Sequence, residues 1–459
     1  MSLVVDPSLA NATAIIAIAS NEYENFLAKM PERTRTWLAA TEFRAAAHTH
    51  ALLPDETGRI ASVLVGVRDA NDIYALSHLP LSLPVGRYAL ATASEGGMVL
   101  APEAAALSWQ LGAYQFTRYK KARREPATLV LPPSAVIAQA QNTYAAVKLV
   151  RDLVNTPTEE MGPQHLSEVA QSLAKEFGAV FKEWVGDELL ANNFPAIHAV
   201  GRASHRPPRL LELNWGDDAH PRVAIVGKGV CFDTGGLNIK GADGMRWMKK
   251  DMGGAAHALA LARLIMQAKL PLRLQMLVPA VENAIAGNAY RPGEVVQTRK
   301  GHTIEIGNTD AEGRVILSDA LAYAVEFTPH ILIDFATLTG AARVALGPEL
   351  PATFCNNEDW FGKLETASRT AQDPLWRMPL WQNYNAMIDS NIATLNNTGG
   401  PQAGAITAAL FLEHFVPRKQ AWIHIDTFSW NPKSRPGRPE GGEAQSLRAV
   451  FSMLANSAG

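Results

Sequence analysis

Apolar positions follow two rhythms along this chain. In the first 125 residues they form short continuous runs, Thr13–Ala19, Ala61–Val67 and Tyr88–Ala93, among helix-like segments; this predicts a small α/β domain. Pro132 and Pro133 mark a boundary, and Ser134 is placed to cap a helix. Val136, Ala140, Tyr144, Val147, Val150 and Val154 then fall on one face at helical spacing, until Thr156 and Pro157 end it. From Asn155 onward the pattern becomes strand, loop, helix, strand, as in a buried sheet with helices on both faces. Val223–Val226 reads as a central strand and Gly253–Ala268, apolar almost all round, as a buried helix stopped by Pro271. Leu272, Leu274, Met276 and Val278 alternate with Arg273, Gln275 and Leu277 as a strand of period two. His330–Ala336 is a further strand, and Val315–Val325 and Ala403–Phe415 are further helices. The expected architecture is α/β: a small N-terminal α/β domain (1–125), a linker and connecting helix (126–155), and a larger α/β domain (156–459) with a central mixed sheet flanked by helices.

Composition narrows the class without naming it. A chain of 459 residues exceeds one ordinary core, in keeping with two domains. With 47% hydrophobic and 19% charged residues it reads as soluble and globular. A formal net charge of -2 gives no general attraction to nucleic acid or anionic lipid, and the basic run Lys120, Lys121, Arg123 and Arg124 reads as a solvated face or linker. Cys231 and Cys355 are the only cysteines, which excludes a disulfide framework and a thiolate zinc site. The apolar stretch Thr13–Ala19 has no basic region before it and Glu22 and Glu24 after it, so neither a signal peptide nor a spanning helix is expected and the cytoplasm is the default location.

Candidate chemistry lies in the loops that leave the expected strands. Lys228 and Asp233 sit in a glycine-rich segment, residues 227–236, directly after Val223–Val226. A phosphate-binding reading fails on spacing: Lys228 is followed by Gly229 rather than Ser or Thr, and Phe232 stands where a dinucleotide fingerprint needs glycine. Asp310, Glu312 and Arg314 are two residues apart, so an extended backbone would present all three on one face before an apolar helix. Asp251, taken alone, would satisfy a helix dipole, and Lys240 alone would be a surface lysine. His424 and Asp426 alternate in a strand-like run and read as a hydrogen-bonded core pair, and Cys231 as a small buried hydrophobe. If the loops converge, four carboxylates, two lysines and an arginine share one site, and two divalent metal ions would balance the acids.

Four segments in order resemble the leucyl aminopeptidase family, the cytosolic two-metal aminopeptidases, over roughly residues 140–459. They are residues 226–240, residues 248–256, the seven-residue signature 308–314, and residues 336–341. The resemblance implies a catalytic two-metal peptidase domain over 156–459, acting on peptides with a free N-terminus. It implies that Lys228, Asp233, Asp251 and Glu312 hold the tighter metal, while Asp233, Asp310 and Glu312 hold an exchangeable one, with zinc, manganese or magnesium as candidates. Lys240 would polarise the scissile carbonyl, and Arg314 would hold a bicarbonate acting as general base. Asn308, Thr337 and Gly340 would contact substrate and Met248 would line the first side-chain pocket. A homohexamer is implied as well. Two departures stand out: Gly307 replaces a larger apolar residue and is expected to loosen the strand, and residues 428–442 do not match the pocket-closing loop, so Trp430 is expected to narrow the pocket. The other readings are another two-metal hydrolase, such as a phosphoesterase, and DNA binding by residues 1–125.

Overall fold

The computed structural model describes residues 2–92 and 97–458, so Ala93, at the end of one expected run, lies outside the described residues. The chain divides into two compact units, Met1–Lys148 with Lys433–Glu440, and Leu149–Pro432 with Gly441–Gly459. The first is built on a six-stranded sheet in the order Leu3–Val5, Thr128–Leu131, Arg87–Leu90, Thr13–Ala19, Ile60–Val67, His50–Pro54. All neighbours are parallel except the last pair. The three apolar runs read from the sequence supply three of these strands, because each side chain row can be buried without breaking the ladder. Lys120, Lys121 and Arg123 are exposed, whereas Arg124 turns inward and donates to the carbonyls of Leu81 (2.8 Å) and Leu83 (2.6 Å). The helix Ala135–Asn155 follows; its buried face begins at Ile137 rather than at the exposed Val136.

The second unit carries a nine-stranded mixed sheet. Eight strands run in the order Trp376–Arg377, Ala352–Cys355, Trp422–Asp426, Ile331–Ala336, Arg222–Gly227, Arg273–Asn283, Arg209–Trp215, Val180–Val185, and Gly229–Asp233 pairs with the far half of Arg273–Asn283. The four middle strands are mutually parallel, so Gly227, Asn283, Ala336 and Asp426 end at one edge. Helix Glu312–Glu326 shares a core with Ala224, Val226, Leu332 and Trp422 on one face. Helix Gly253–Gln267, buried nearly throughout as its almost wholly apolar sequence requires, covers the other.

Strand Arg273–Asn283 runs five residues past the expected end, and its polar alternation does not mean exposure. Gln275 is buried and donates to Glu212 Oε1 at 2.7 Å. Pro279 explains how the strand can continue. Its neighbour breaks there: Leu277 pairs with Val226, and pairing resumes only at Ala280 with Gly229. A proline has no N–H to offer a ladder, so the break opposite it loses little, and the residue released from pairing is Lys228.

His424 and Asp426 do not bond to each other. His424 Nδ1 instead lies 2.6 Å from Asp334 Oδ1, its register partner on the neighbouring strand, and Trp422 Nε1 donates to Asp334 Oδ2 at 2.7 Å. Burial opposes a charge on His424, but Asp334 outweighs it and raises the imidazole pKa. A raised folded-state pKa contributes stability below the unfolded value of about 6.5 that is lost as pH rises through the folded one. Asp334→Ala, which strands two buried donors, is therefore expected to lower unfolding stability by about 3–5 kcal/mol. It should also abolish the weakening of wild-type stability on the alkaline side, measured as urea midpoints across pH.

Candidate metal centre

The C-terminal edge of the parallel strands gathers most of the residues singled out by sequence. Lys228 leaves the Arg222–Gly227 strand at the break opposite Pro279, and its own amide is used elsewhere: N donates to Phe335 O (2.9 Å) and O accepts from Ala255 N (2.8 Å). Its side chain runs inward, where Nζ lies 2.7 Å from Asp251 Oδ2 and 2.9 Å from Glu312 Oε1 and donates to Thr337 O at 2.8 Å. The stem passes over Gly313, where a Cβ would stand 2.5 Å from Lys228 Cε. That close approach is the physical reason for glycine in the middle of the signature.

Lys240 forms a second bridge, with Nζ 2.9 Å from Asp233 Oδ2 and 2.5 Å from Asp310 Oδ1. Asp233 ends its strand with Oδ1 fixed by Gly235 N (2.8 Å) and Asn283 Nδ2 (2.8 Å). Asp233, Asp310 and Glu312 present oxygens within 4.8 Å of one another. Asp251 ends a short 3-10 turn, Met248–Lys250, and its Oδ1 accepts from the Thr337 hydroxyl at 2.8 Å.

The convergence of Asp310 and Glu312 does not come from an extended backbone. Residues 309 and 310 form a turn and Glu312 is the first residue of a helix, so Glu312 and Arg314 leave the helix in different directions. Arg314 Nη1 donates to Asn397 O at 2.8 Å, and its buried Nε has no hydrogen-bond partner. Asn308 does not line the cavity; its Oδ1 accepts from Asp310 N (2.8 Å), which makes it a positioning residue for the turn. The glycine at 307 does not loosen this segment: a Cβ there would stand 2.5 Å from Asn396 Oδ1, so glycine admits the neighbouring chain.

Sequence reading missed the polar residues that hold the turn. Asn397, fully buried, accepts from Gly307 N (2.8 Å) and Asn308 N (3.1 Å) and donates to Asn308 O (2.7 Å). Asn283 also donates to Thr309 O (3.0 Å), as does the Tyr290 hydroxyl (2.6 Å). An asparagine after the apolar stretch 276–281 was the only available signal for Asn283; nothing distinguished Asn397 within residues 396–398.

The electrostatics describe a cluster short of positive charge. Burial, then the Asp233 carboxylate, pushes Asp310 up to about 6, with Lys240 offsetting part of it. The same two causes raise Glu312 well above the carboxylate range. Burial works against the ammonium of Lys228, yet Asp251, Glu312 and Asp233 outweigh it and raise its pKa. Lys228 and Lys240 sit among four carboxylates, with Lys250 more distant at 3.7 Å from Asp251, and among the described residues the buried oxygens Asp251 Oδ2, Asp310 Oδ1 and Glu312 Oε1 find only lysine ammoniums as close partners. Hard oxygen donors crowded around a charge deficit fit divalent cations. Burial lowers Arg314 to about 10, which leaves it charged at neutral pH.

A cavity of about 420 Å³ opens onto these acids, lined also by Trp247, Met248, Lys250, Thr337, Gly340, Arg343 and Phe428. Trp430 does not narrow it. That ring is buried behind Trp247, centroids 5.2 Å apart, and Phe428 rather than Trp430 faces the cavity. Cys231 is fully buried and takes no part.

Residues 148–451 match the model of the cytosol aminopeptidase family, catalytic domain, and residues 14–132 match that of the M17 aminopeptidase N-terminal domain. A Syntrophotalea carbinolica protein named "probable cytosol aminopeptidase" is 40% identical over 366 residues, 75% of this chain and 73% of the relative. A crystal structure of the cytosol aminopeptidase from Coxiella burnetii covers 100% of both chains at 47% identity and a TM-score of 0.95. The bottromycin maturation enzyme BotP, solved in complex with Mn, is 29% identical over 98% of this chain and 100% of that one, with a TM-score of 0.87. This chain therefore belongs to the cytosol aminopeptidase family and is a metal-dependent peptidase of the M17 type.

Proposed function

We propose that the protein removes the N-terminal residue from peptides with a free α-amine by attack of a water held between two divalent metal ions. The observation that carries this reading is the crowding of Asp233, Asp310 and Glu312 oxygens within 4.8 Å, beside the buried Asp251, with Lys228 and Lys240 as the cations in direct contact among the described residues. Lys228, Asp233, Asp251 and Glu312 would hold the tighter ion, and Asp233, Asp310 and Glu312, with the Asp310 carbonyl, would hold the exchangeable one. Zinc, manganese and magnesium all suit these donors, and the manganese complex of BotP supports manganese among them. Bound there, the ions lower the pKa of an intervening water toward neutrality and so supply the nucleophile.

The remaining steps belong to the chain's own groups. Lys228 gives up its proton to become a ligand, which an amine can do and a guanidinium cannot. Lys240 keeps its charge and, from the cavity wall, stabilises the developing carbonyl oxyanion. Arg314, which is buried beside the cavity lining rather than in it, keeps one N–H, on Nε, without an acceptor among the described residues, and this donor would serve a bicarbonate acting as general base. Thr337 and Gly340 flank the substrate backbone and Met248 its first side chain. Residues 1–125 form the N-terminal domain, 126–155 the connector and 156–459 the catalytic domain. We assign the protein to the cytoplasm, after the names of its relatives, and to a homohexamer; among the described residues no helix is long and apolar enough to cross a membrane. The phosphoesterase and DNA-binding readings gain no support from relatives that are aminopeptidases.

Free dipeptides should be cleaved and their N-acetylated forms left intact, with activity lost to a chelator and restored by manganese or zinc; comparable cleavage of the acetylated form contradicts the reading. Lys240→Ala should lower kcat roughly 10²–10³-fold while metal content stays near wild type. Asp310→Ala should instead reduce the bound metal itself. Gly313→Ala, which would drive a Cβ into the Lys228 stem, should lower metal content and turnover together, read by elemental analysis beside the assay.

A further inference from the structure

Two cations in the cavity are left out of the metal chemistry. Lys250 is buried, and its ion pair with Asp251 Oδ1 is long, 3.7 Å and beyond hydrogen-bond distance, to an oxygen that already accepts from Thr337. Arg343 lines the same cavity, and among the described residues no carboxylate lies within ion-pair distance of its guanidinium. Both pack against one ring: Lys250 Nζ is 5.4 Å and Arg343 Cζ 5.0 Å from the centroid of Phe428. The Phe428 ring thus holds both side chains at the same cavity. The remaining acid there, Asp426, is already used. Its Oδ1 accepts from the amides of Leu338 (2.9 Å) and Thr339 (3.2 Å), and its Oδ2 from the Thr339 hydroxyl (2.6 Å).

We propose that Lys250 and Arg343 form an anion subsite for the side-chain carboxylate of an acidic N-terminal residue, so that the enzyme prefers glutamyl or aspartyl peptides to leucyl ones. This rests on the aminopeptidase reading above. The two cations come from the elements that carry the proposed first side-chain pocket: Lys250 closes the turn that Met248 opens, and Arg343 lies one helical turn beyond Gly340. A peptide whose α-amine meets the acidic cluster would thus reach these cations with its first side chain. A leucine entering there would take water from a buried ammonium and return nothing, whereas a carboxylate supplies the missing acceptor. A glutamine, equal in size but neutral, supplies only a weaker one.

The test compares kcat/KM of the metal-loaded enzyme for Glu-, Gln- and Leu-p-nitroanilide, with Leu-Glu and Leu-Gln dipeptides as a second arm. Glu should exceed Gln by roughly ten- to a hundredfold, and Leu-Glu and Leu-Gln should be cleaved alike. Arg343→Leu, an exposed position whose change spares the core, should lower the Glu-to-Gln ratio about tenfold; Lys250→Met should lower it as well, and if that variant misfolds the Arg343 result decides. Cleavage of Gln and Leu substrates without an advantage for Glu overturns this inference alone, as does an acid preference found only at the second residue or a ratio unmoved in Arg343→Leu. Failure to cleave any free-amine substrate would overturn the aminopeptidase reading together with it.

Discussion

Crowding four carboxylates, three of them buried, at the C-terminal edge of the parallel strands is the constraint to which the catalytic unit is built. The acids arrive on different elements, and three are held by groups that keep them from relaxing away from the others: Asn283 on Asp233, Thr337 on Asp251, Asn308 on the turn of Asp310. The interior disfavours such a cluster unless positive charge is threaded through it. The break opposite Pro279 releases Lys228 from the ladder to do so, and Gly313 leaves room for its stem. The fold positions the charge, and the charge deficit sets the chemistry.

The same balance extends into the cavity. In the proposed reading the amine end of a substrate meets the acids, while Lys250 and Arg343, which line the same cavity, meet its first side chain. Such a division of charge favours one orientation of a peptide over the reverse before any contact with the scissile bond is made.

Much of this architecture was legible because it depends on local apolar pattern. The runs Thr13–Ala19 and Val223–Val226, the largely apolar Gly253–Gln267 helix and the strand before Thr337 appear where hydrophobic burial demands them. The candidate acids and lysines were legible as well, through spacing and resemblance, and the structure brings them to one edge. What escaped was geometry that only tertiary contact decides. An alternating Asp310-Glu312-Arg314 looks extended, but the helix begins at Glu312 and a turn makes the acids converge. His424 had a plausible partner two residues away; strand register gave it Asp334 instead. Trp430 looked like a pocket wall, yet its ring is turned behind Trp247. Asn397 and Lys250 carried no local signature at all, since their meaning lies in partners that are distant in sequence.

The central claim is that the lysines stand in for cations that the acids are built to hold, and that Lys228 exchanges its proton for a metal ion. Titration of metal-free enzyme with manganese or zinc by calorimetry in buffers of different ionisation enthalpy measures stoichiometry and proton release together. The account predicts two ions bound per chain with net release of protons, and a smaller release when Lys228 is replaced by Met. A single equivalent, or two equivalents bound with no protons released, would contradict it.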